Sequence, residues 1–254
     1  MTKIYYFSGT GNTLWSAKKI AELSSDKSEL LNIGIEAEKE KIVLEADAVV
    51  ILFPAYAYGP PYIVRHFIQK AEFKTPYIAA FATYGSSPGG ALAEIRRVLK
   101  RKGLSISYTG SIAAVENYIA IFGPPKPEIE KERLLLQQTD TEEVIRVLNE
   151  RRKNSIKMFR PFSSLIYFLF SIALKIFYRW YRLGKDCNGC GICEKVCPVS
   201  AIVIKNGRPK FDKKCEHCQG CITWCPQRAI NFGRITKHTP RYHHPGITIN
   251  DIYR

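Results

Sequence analysis

The chain carries one twelve-residue pattern twice in its last third, CNGCGICEKVCP at residues 187–198 and CEHCQGCITWCP at residues 215–226. Each copy places four cysteines in the spacing C-x2-C-x2-C-x3-C and follows the last one with proline. The two copies use all eight cysteines of the protein. Three thiolates on one tight loop suit three irons of a cubane, whose fourth iron needs a ligand from elsewhere. The pattern therefore indicates two iron-sulfur clusters.

Two other uses of eight cysteines fit the sequence less well. Four disulfides are typical of a small secreted scaffold with an export signal, whereas the apolar run at this N-terminus covers only residues 4–7 before a glycine loop begins. Structural zinc favours cysteine pairs separated by a longer gap, and leaves the third and fourth cysteines and both prolines unexplained. We therefore expect a reducing, cytoplasmic location in which the cysteines bind clusters.

The two copies also form an internal repeat, because KDCNGC with CPVSAI aligns with KKCEHC and CPQRAI. The segment AIVIKNGRPKF between them predicts a β-hairpin that turns at Asn206 and Gly207. Residues 185–233 resemble the two-cluster bacterial ferredoxins. In that pattern the fourth cysteine of each copy serves the other cluster. The resemblance implies Cys187, Cys190, Cys193 and Cys225 for one [4Fe-4S] centre, and Cys215, Cys218, Cys221 and Cys197 for its neighbour.

The cysteine-free part of the chain alternates β-rich runs with helical periods. The predicted strands are residues 3–7, 30–33, 48–53, 77–83 and 105–115, and the predicted helices are residues 12–23, 61–71 and 89–102. Such alternation predicts an α/β fold, a parallel sheet covered by helices on both faces. The ligand crevice of such a sheet lies at the carboxyl ends of its strands.

Three loops at those strand ends carry binding signals. SGTGNT at residues 8–13 offers backbone N–H groups and hydroxyls to a phosphate at a helix N-terminus, and is neither a Walker loop nor a GxGxxG loop. PAYAYGPP at residues 54–61 and TYGSSPGG at residues 83–90 offer tyrosines for stacking and glycines for close backbone approach. Taken singly, each loop fits an ordinary turn as well as a binding loop, but at three successive strand ends the loops predict a site for flavin mononucleotide, FMN.

The SGTGNT loop matches the phosphate motif of flavodoxins, and residues 1–152 resemble that family. The resemblance implies a flavodoxin-like five-stranded parallel sheet of order 2-1-3-4-5 with bound FMN. The implied cofactor-binding residues are Ser8, Gly9, Thr10, Gly11, Asn12 and Thr13 at the phosphate, Pro54, Ala55, Tyr56, Tyr58 and Gly59 at the ring, and Thr83, Tyr84 and Gly85 at its edge. For Glu116, Asn117 and Tyr118, a structural loop is the favoured interpretation and flavin contact the alternative.

The middle of the chain predicts two helical segments. Residues 128–157 have a helical period, with Asp140 as a plausible internal cap. Residues 163–182 contain an apolar run of about a dozen residues, which is shorter than the roughly 20 that a spanning helix needs. We expect this helix to be buried between two domains. The alternative is a helix that lies on an anionic membrane surface, since cations follow the run.

The predicted organisation is a sheet domain at residues 1–157, a connecting helix at 158–184, a small α+β ferredoxin domain at 185–235 and a tail at 236–254. We expect the tail to pack back onto a domain, because His238, His243 and His244 have no further ligand at metal-binding spacing. The net charge is +15, from 38 Lys and Arg against 23 Asp and Glu. This balance suggests an acidic partner, an anionic membrane surface or nucleic acid, and the charge alone does not choose between them. We expect an acidic redox partner protein. No nucleic acid partner is expected, because no DNA- or RNA-binding motif accompanies the charge.

As a whole the chain resembles flavodoxin–ferredoxin fusion proteins of anaerobes. The resemblance implies a protein that relays single electrons between two [4Fe-4S] clusters and FMN, and so to or from a protein partner. The alternative is a flavin-dependent reductase of a small molecule or quinone, with a proton donor among Tyr56, Tyr58, Tyr84, Tyr118 and Glu116. The sequence leaves the oligomeric state open.

Overall fold

The computed structural model describes residues 1–123, 125–154 and 161–253. The strands are β1 (Thr2–Tyr6), β2 (Ser28–Asn32), β3 (Val43–Glu45), β4 (Ala48–Pro54), β5 (Glu72–Lys74), β6 (Ile78–Tyr84), β7 (Tyr108–Ala113), β8 (Tyr181–Leu183), β9 (Ile202–Lys205), β10 (Arg208–Phe211) and β11 (Ile230–Phe232). The helices are α1 (Asn12–Leu23), α2 (Ile33–Glu36), α3 (Tyr62–Lys70), α4 (Ala91–Arg101), α5 (Pro127–Asn149), α6 (Pro161–Phe177), α7 (Ile192–Lys195), α8 (Gly220–Thr223) and α9 (Ile249–Ile252).

The first part of the chain is built on a five-stranded sheet in the order β2-β1-β4-β6-β7. All four strand pairs are parallel. Counted within this sheet the order is 2-1-3-4-5, so the flavodoxin-like topology is confirmed. The central strand β4 has the sequence AVVILFP, and its first six residues are buried because helices cover both faces of the sheet. Strands β3 and β5 form a separate parallel pair that the sequence did not predict.

Helices cover the sheet on both sides, as the alternating pattern predicted. Helices α1 and α5 contact each other on one side, and α3 contacts α4 on the other. Helix α5 is continuous, so the expectation that Asp140 caps a helix inside residues 128–157 was wrong. The Asp140 carboxylate instead accepts a hydrogen bond of 2.7 Å from the backbone N–H of Ala113, at the end of β7. It satisfies a donor of the edge strand.

The cysteine-rich part is a small α+β unit with two antiparallel strand pairs. Strands β8 and β11 pair its two ends, and β9 and β10 form the predicted hairpin. Asn206 and Gly207 at its turn have φ of 51° and 69°, which is the left-handed backbone of a type I′ turn. The core of this unit contains three of the cysteines, Cys193, Cys197 and Cys221, together with aliphatic and aromatic side chains.

Helix α6 packs by one face only. Ile166, Tyr167, Phe170 and Phe177 are half-buried against the rest of the protein, whereas several apolar side chains on the opposite face are exposed. The expectation of a helix buried between two domains therefore holds for one of its faces. Among the described residues, none of the helices has the length and apolar content needed to cross a membrane.

The tail returns to the sheet domain, as expected. The ring of His244 stacks on that of Trp15 at 4.8 Å, and Ile247 and Ile252 join a core with Leu14. A second stack joins His243 to Trp224 at 4.5 Å. The tail thus contacts both the sheet domain and the cysteine-rich unit.

Candidate functional site

A cavity of about 270 Å³ lies at the carboxyl ends of the sheet strands. Twelve of the fourteen predicted cofactor-binding residues line it, namely Ser8, Gly9, Thr10, Asn12, Thr13, Pro54, Ala55, Tyr56, Tyr58, Thr83, Tyr84 and Gly85. The two others lie just behind its wall. Gly11, with φ of 99°, precedes the first residue of α1, and Gly59 abuts the ring of Tyr167. The structure therefore brings the three predicted loops together around one space.

The loop at residues 8–13 is held in place by its own side chains. The Ser8 hydroxyl accepts a hydrogen bond from the Gly11 N–H at 3.2 Å, and the hydroxyls of Thr13 and Thr83 are 2.7 Å apart. The Asn12 amide donates to the carbonyl of Val115 at 3.0 Å, which ties the loop to the end of β7. Among the described side chains none caps the N-terminus of α1. Its first N–H groups are therefore oriented to receive an anion such as a phosphate.

The tyrosine loop forms a tight turn beside this space. The backbone of Tyr56 exchanges hydrogen bonds of 2.8 Å and 3.0 Å with Gly59. Ala57 and Tyr58 between them both have positive φ, 46° and 69°. This turn directs Tyr56 inward, where burial and the neighbouring Cys218 raise the pKa of its phenol, while Tyr58 remains 38% exposed. Both rings line the cavity, and Tyr56 is the more buried of the two.

The loop after β7 also lines the cavity, although a structural loop was the favoured interpretation. Glu116, Asn117 and Tyr118 all border the space. The Asn117 amide donates a hydrogen bond to the Thr10 hydroxyl, and a Glu116 carboxylate oxygen accepts from the backbone N–H groups of Asn117 and Tyr118. The loop therefore supports residues 8–13 and forms part of the wall.

Sequence reasoning missed a fourth wall, which comes from the cysteine-rich unit. Glu216, His217, Cys218 and Gln219 line the same cavity as the loops of the sheet domain. The Gln219 side chain is buried, and its Oε1 has no hydrogen-bond partner among the described residues. A buried acceptor at a cavity wall fits a polar ligand that donates to it. Nothing in the pattern of the sequence joins these residues to residues 8–13.

The two units meet at a close backbone contact between Gly9 and Cys218. A Cβ added at Gly9 would lie 2.6 Å from the Cys218 carbonyl oxygen and 2.9 Å from its Sγ, so glycine is required there. The indole N–H of Trp224 donates to the Gly9 carbonyl at 3.0 Å. This hydrogen bond fixes the loop at residues 8–13 to the cysteine-rich unit.

A buried carboxylate also joins the two units. Glu216 accepts hydrogen bonds from the backbone N–H groups of Tyr62 at 2.9 Å and Ile63 at 2.6 Å, at the N-terminus of α3. Burial raises the pKa of the Glu216 carboxyl to about 7, and the two backbone hydrogen bonds oppose that rise. The positive end of the α3 helix dipole is the favourable place for such a group.

The eight thiols form two sets. Cys187, Cys190, Cys193 and Cys225 line one cavity, and we call them the outer set. Burial raises the pKa of the Cys193 thiol to about 11, with further contributions from Cys225, Cys190 and Cys187. Burial also raises the pKa of the Cys221 thiol, with further contributions from Cys215, Cys218, Cys197 and Cys193. Burial and, after it, Cys197 also raise the pKa values of Cys215 and Cys218, and we call Cys197, Cys215, Cys218 and Cys221 the inner set. Each set therefore takes its fourth thiol from the other copy of the repeat.

These neighbourhoods fit two [4Fe-4S] clusters. None of the eight thiols forms a disulfide. Each thiolate of such a cluster binds a different iron, so four thiols around one cavity suit it. Buried thiols with raised pKa values ionise when a metal compensates the charge. The backbone N–H groups of Ala201 and Ala229 already donate to the Sγ atoms of Cys197 and Cys225, at 3.2 Å and 3.3 Å.

The tail is hydrogen-bonded to the loop at residues 8–13. The Tyr242 hydroxyl donates to the Asn12 Oδ1 at 2.8 Å, and the His244 N–H donates to the Thr10 carbonyl at 3.0 Å. Burial, with the neighbouring His243, lowers the pKa of the His244 imidazole to about 4. The neutral ring accepts a hydrogen bond at Nδ1 from the Gly246 N–H.

Comparison with known proteins identifies the cysteine-rich unit. Residues 186–230 match the family of the 4Fe-4S dicluster domain, Fer4_9. The chain is 37% identical over 51 residues to the ferredoxin-like protein in the nif region of Sinorhizobium fredii, a match over 17% of this chain and 80% of that protein. It is 44% identical over 63 residues to one component of the ion-translocating oxidoreductase complex of Methanosarcina acetivorans, over 21% of this chain and 24% of that protein. The chain thus spans about a quarter of this second relative.

Among solved structures, a two-electron reduced flavodoxin from Megasphaera elsdenii is similar to this chain with a TM-score of 0.35 and 18% identity. The match covers 56% of this chain and 99% of the flavodoxin. This likeness is weak, and the assignment of the sheet domain depends on the observed strand order. Through residues 186–230 the chain belongs to the 4Fe-4S dicluster ferredoxins, and it joins this unit to a flavodoxin-like α/β domain.

Proposed function

We propose that this protein relays single electrons between its two [4Fe-4S] clusters and an FMN bound in the cavity of the sheet domain. The observation that carries the proposal is the position of Cys218. This cysteine of the inner set lines the same cavity as the phosphate loop and the ring tyrosines. A cluster held by the inner set would share the wall at Cys218 with an FMN bound in this cavity, without any intervening domain.

The residues of the cavity have separate roles in this proposal. The N-terminus of α1, with Thr10 and Thr13, binds the phosphate. Tyr56 and Tyr58 contact the ring, and Gln219 offers its unpaired Oε1 to a ring N–H. Bound there, FMN would exchange one or two electrons, while the clusters exchange one at a time. The packing of Gly9 on Cys218 holds the two sites at a fixed separation.

The order of the sites follows from exposure. Cys190 of the outer set is exposed, whereas Cys221 of the inner set is buried. The outer set is therefore the point at which an external protein exchanges electrons, and the inner set connects it to the flavin. Residues 185–237 carry ten Lys and Arg against four Asp and Glu. This balance favours an acidic redox partner. The likeness to a component of an ion-translocating oxidoreductase complex supports an electron-transfer role.

The test is anaerobic purification with analysis of iron, labile sulfide and flavin, followed by a redox titration. We expect about eight iron and eight sulfide for each FMN, as two [4Fe-4S] clusters require. We also expect the flavin to be reduced when only the clusters receive electrons from an added one-electron donor. A protein that contains zinc without labile sulfide, or that binds no FMN, contradicts the proposal.

One observation favours a second candidate, a flavin-dependent reductase of a small apolar acceptor. The cavity has apolar side chains on its outer wall, Ile121, Phe122, Ile166 and Phe170. A quinone-like ring would pack against such a wall. Steady-state reduction of a soluble quinone in the absence of any acceptor protein tests this activity. Turnover that requires a protein acceptor rules it out.

A further inference from the structure

The outward face of α6 carries a stripe of exposed apolar side chains. Leu165, Phe168, Leu169, Ile172 and Ile176 are each between 48% and 59% exposed. Their spacing of three, four, seven and eleven residues from the first places them on one side of the helix. The opposite side packs against the cavity wall through Ile166 and Phe170, and the Tyr167 hydroxyl donates to the Pro60 carbonyl at 2.8 Å. The helix therefore cannot turn this stripe inward.

A second exposed apolar element stands beside the stripe. Ile121 and Phe122, in the segment after β7, are 66% and 63% exposed. Both line the flavin cavity together with Ile166 and Phe170 of α6. The helix thus stands between the stripe and the cavity, while the tip formed by Ile121 and Phe122 lies at the cavity itself. We call the stripe and this tip together the docking face. An exposed apolar patch of this kind marks a site of interaction.

The charge around the docking face selects its partner. Residues 161–185, which contain α6, carry four Lys and Arg and no Asp or Glu. Arg179 and Arg182, just beyond the stripe, are exposed. A helix with an exposed apolar stripe, followed by cations and too short to span, is suited to lie in the plane of an anionic lipid surface.

We propose that the docking face binds peripherally to an anionic membrane, with α6 in the plane of the interface. The stripe and the tip enter the boundary between head groups and acyl chains, and Arg179 and Arg182 contact acidic head groups. This binding does not depend on the proposed electron relay, since the residues that carry it belong to the protein surface.

The test is flotation of the purified full-length protein with vesicles. The vesicles contain phosphatidylcholine alone or phosphatidylcholine with phosphatidylglycerol. We expect binding to the anionic vesicles and weak binding to the neutral ones. Each surface cation contributes about a factor of five near such a membrane, so R179Q with R182Q lowers the partition coefficient about 25-fold. L169D replaces an aliphatic side chain that enters the membrane interface with a charged one, and lowers the partition coefficient by at least about tenfold.

Matched controls are available at the edge of the sheet opposite to the cavity. Leu23 is 55% exposed at the end of α1, and Lys100 and Arg101 lie in the last turn of α4. Both helices end away from the cavity, because helices between parallel strands run back to the opposite edge. L23D, and K100Q with R101Q, should leave vesicle binding unchanged. Absence of binding to anionic vesicles, or equal binding by L169D and wild type, overturns the proposal. A dimer in sedimentation velocity that L169D dissolves, without vesicle binding, also overturns it.

Discussion

Replacement of Gly9 by alanine tests the junction between the phosphate loop and the inner set of cysteines. The added Cβ would lie 2.6 Å from the Cys218 carbonyl oxygen and 2.7 Å from the Cys218 Cβ. Carbon atoms prefer separations of about 3.5 Å or more, so the loop at residues 8–13 and the loop that holds Cys218 must move apart by about 1 Å. The contact is close at a second point as well, since a Cβ added at Gly220 would lie 3.0 Å from the Gly9 carbonyl oxygen.

The expected cost follows from this overlap. Overpacking of a close contact destabilises a protein by about 1–3 kcal/mol. Alanine also reduces the conformational entropy of the unfolded chain, which stabilises the folded protein by about 0.4–1 kcal/mol. This gain applies here because the backbone of Gly9 does not have a positive φ. We therefore expect G9A to lower the free energy of unfolding by about 1–2 kcal/mol. We also expect slower electron transfer from the clusters to the flavin, because Cys218 moves away from the cavity.

Stopped-flow absorbance on FMN-loaded protein, after mixing with a one-electron reductant, measures the transfer rate, and urea unfolding measures the stability. G103A is the control, because a Cβ at Gly103 meets nothing within 4 Å. G103A should lower the free energy of unfolding by about 1 kcal/mol, because alanine is strained at a φ of +73°. It should not change the transfer rate. Transfer and unfolding of G9A at wild-type values would refute the close packing of Gly9 on Cys218.

Three further predictions concern the clusters and the tail. C225S should remove the cluster of the outer set and C197S the cluster of the inner set, so that only C197S disconnects the flavin. Iron analysis and electron paramagnetic resonance of each variant distinguish the two clusters. Loss of the inner cluster in C225S, or of the outer cluster in C197S, would contradict the exchange of the fourth ligand between the two copies. Y242F removes the hydrogen bond to Asn12, and should weaken FMN binding about fivefold, by about 1 kcal/mol, in a fluorescence titration. The pKa of the His244 imidazole is about 4 in the folded protein, below its ordinary 6.5. The neutral ring therefore contributes about 3 kcal/mol to the free energy of unfolding above pH 6.5. This contribution is lost as the pH falls toward 4, because in that range the unfolded chain takes up a proton that the folded protein does not. Hydrogen exchange of the tail should show this loss, and H244F, which keeps the stack on Trp15, should abolish the dependence.

Local patterns were sufficient to predict the elements whose stability is local. The run AVVILF predicted the central strand because six consecutive apolar residues suit a strand buried on both faces. Asn206 and Gly207 predicted their turn because both adopt positive φ readily. The pair of β3 and β5 was missed, since three residues give no detectable period.

The junction could not be predicted, because its contacts join residues that are far apart in the chain. Glu216 binds the N-terminus of α3, Trp224 binds Gly9, and Tyr242 binds Asn12 over separations of 154, 215 and 230 residues. No periodicity or motif reports such pairs. Similarly, an apolar helix such as α6 has the same sequence pattern whether protein, lipid or water covers its outer face.

The most direct test of the central claim is the concentration dependence of flavin reduction after the clusters receive electrons. The protein, purified anaerobically with FMN and both clusters, is reduced with a limiting one-electron donor, and the flavin absorbance is followed. Transfer within one chain predicts a rate that is the same at every protein concentration. A rate that rises in proportion to protein concentration, or a flavin that stays oxidised while the clusters are reduced, would contradict a relay through Cys218.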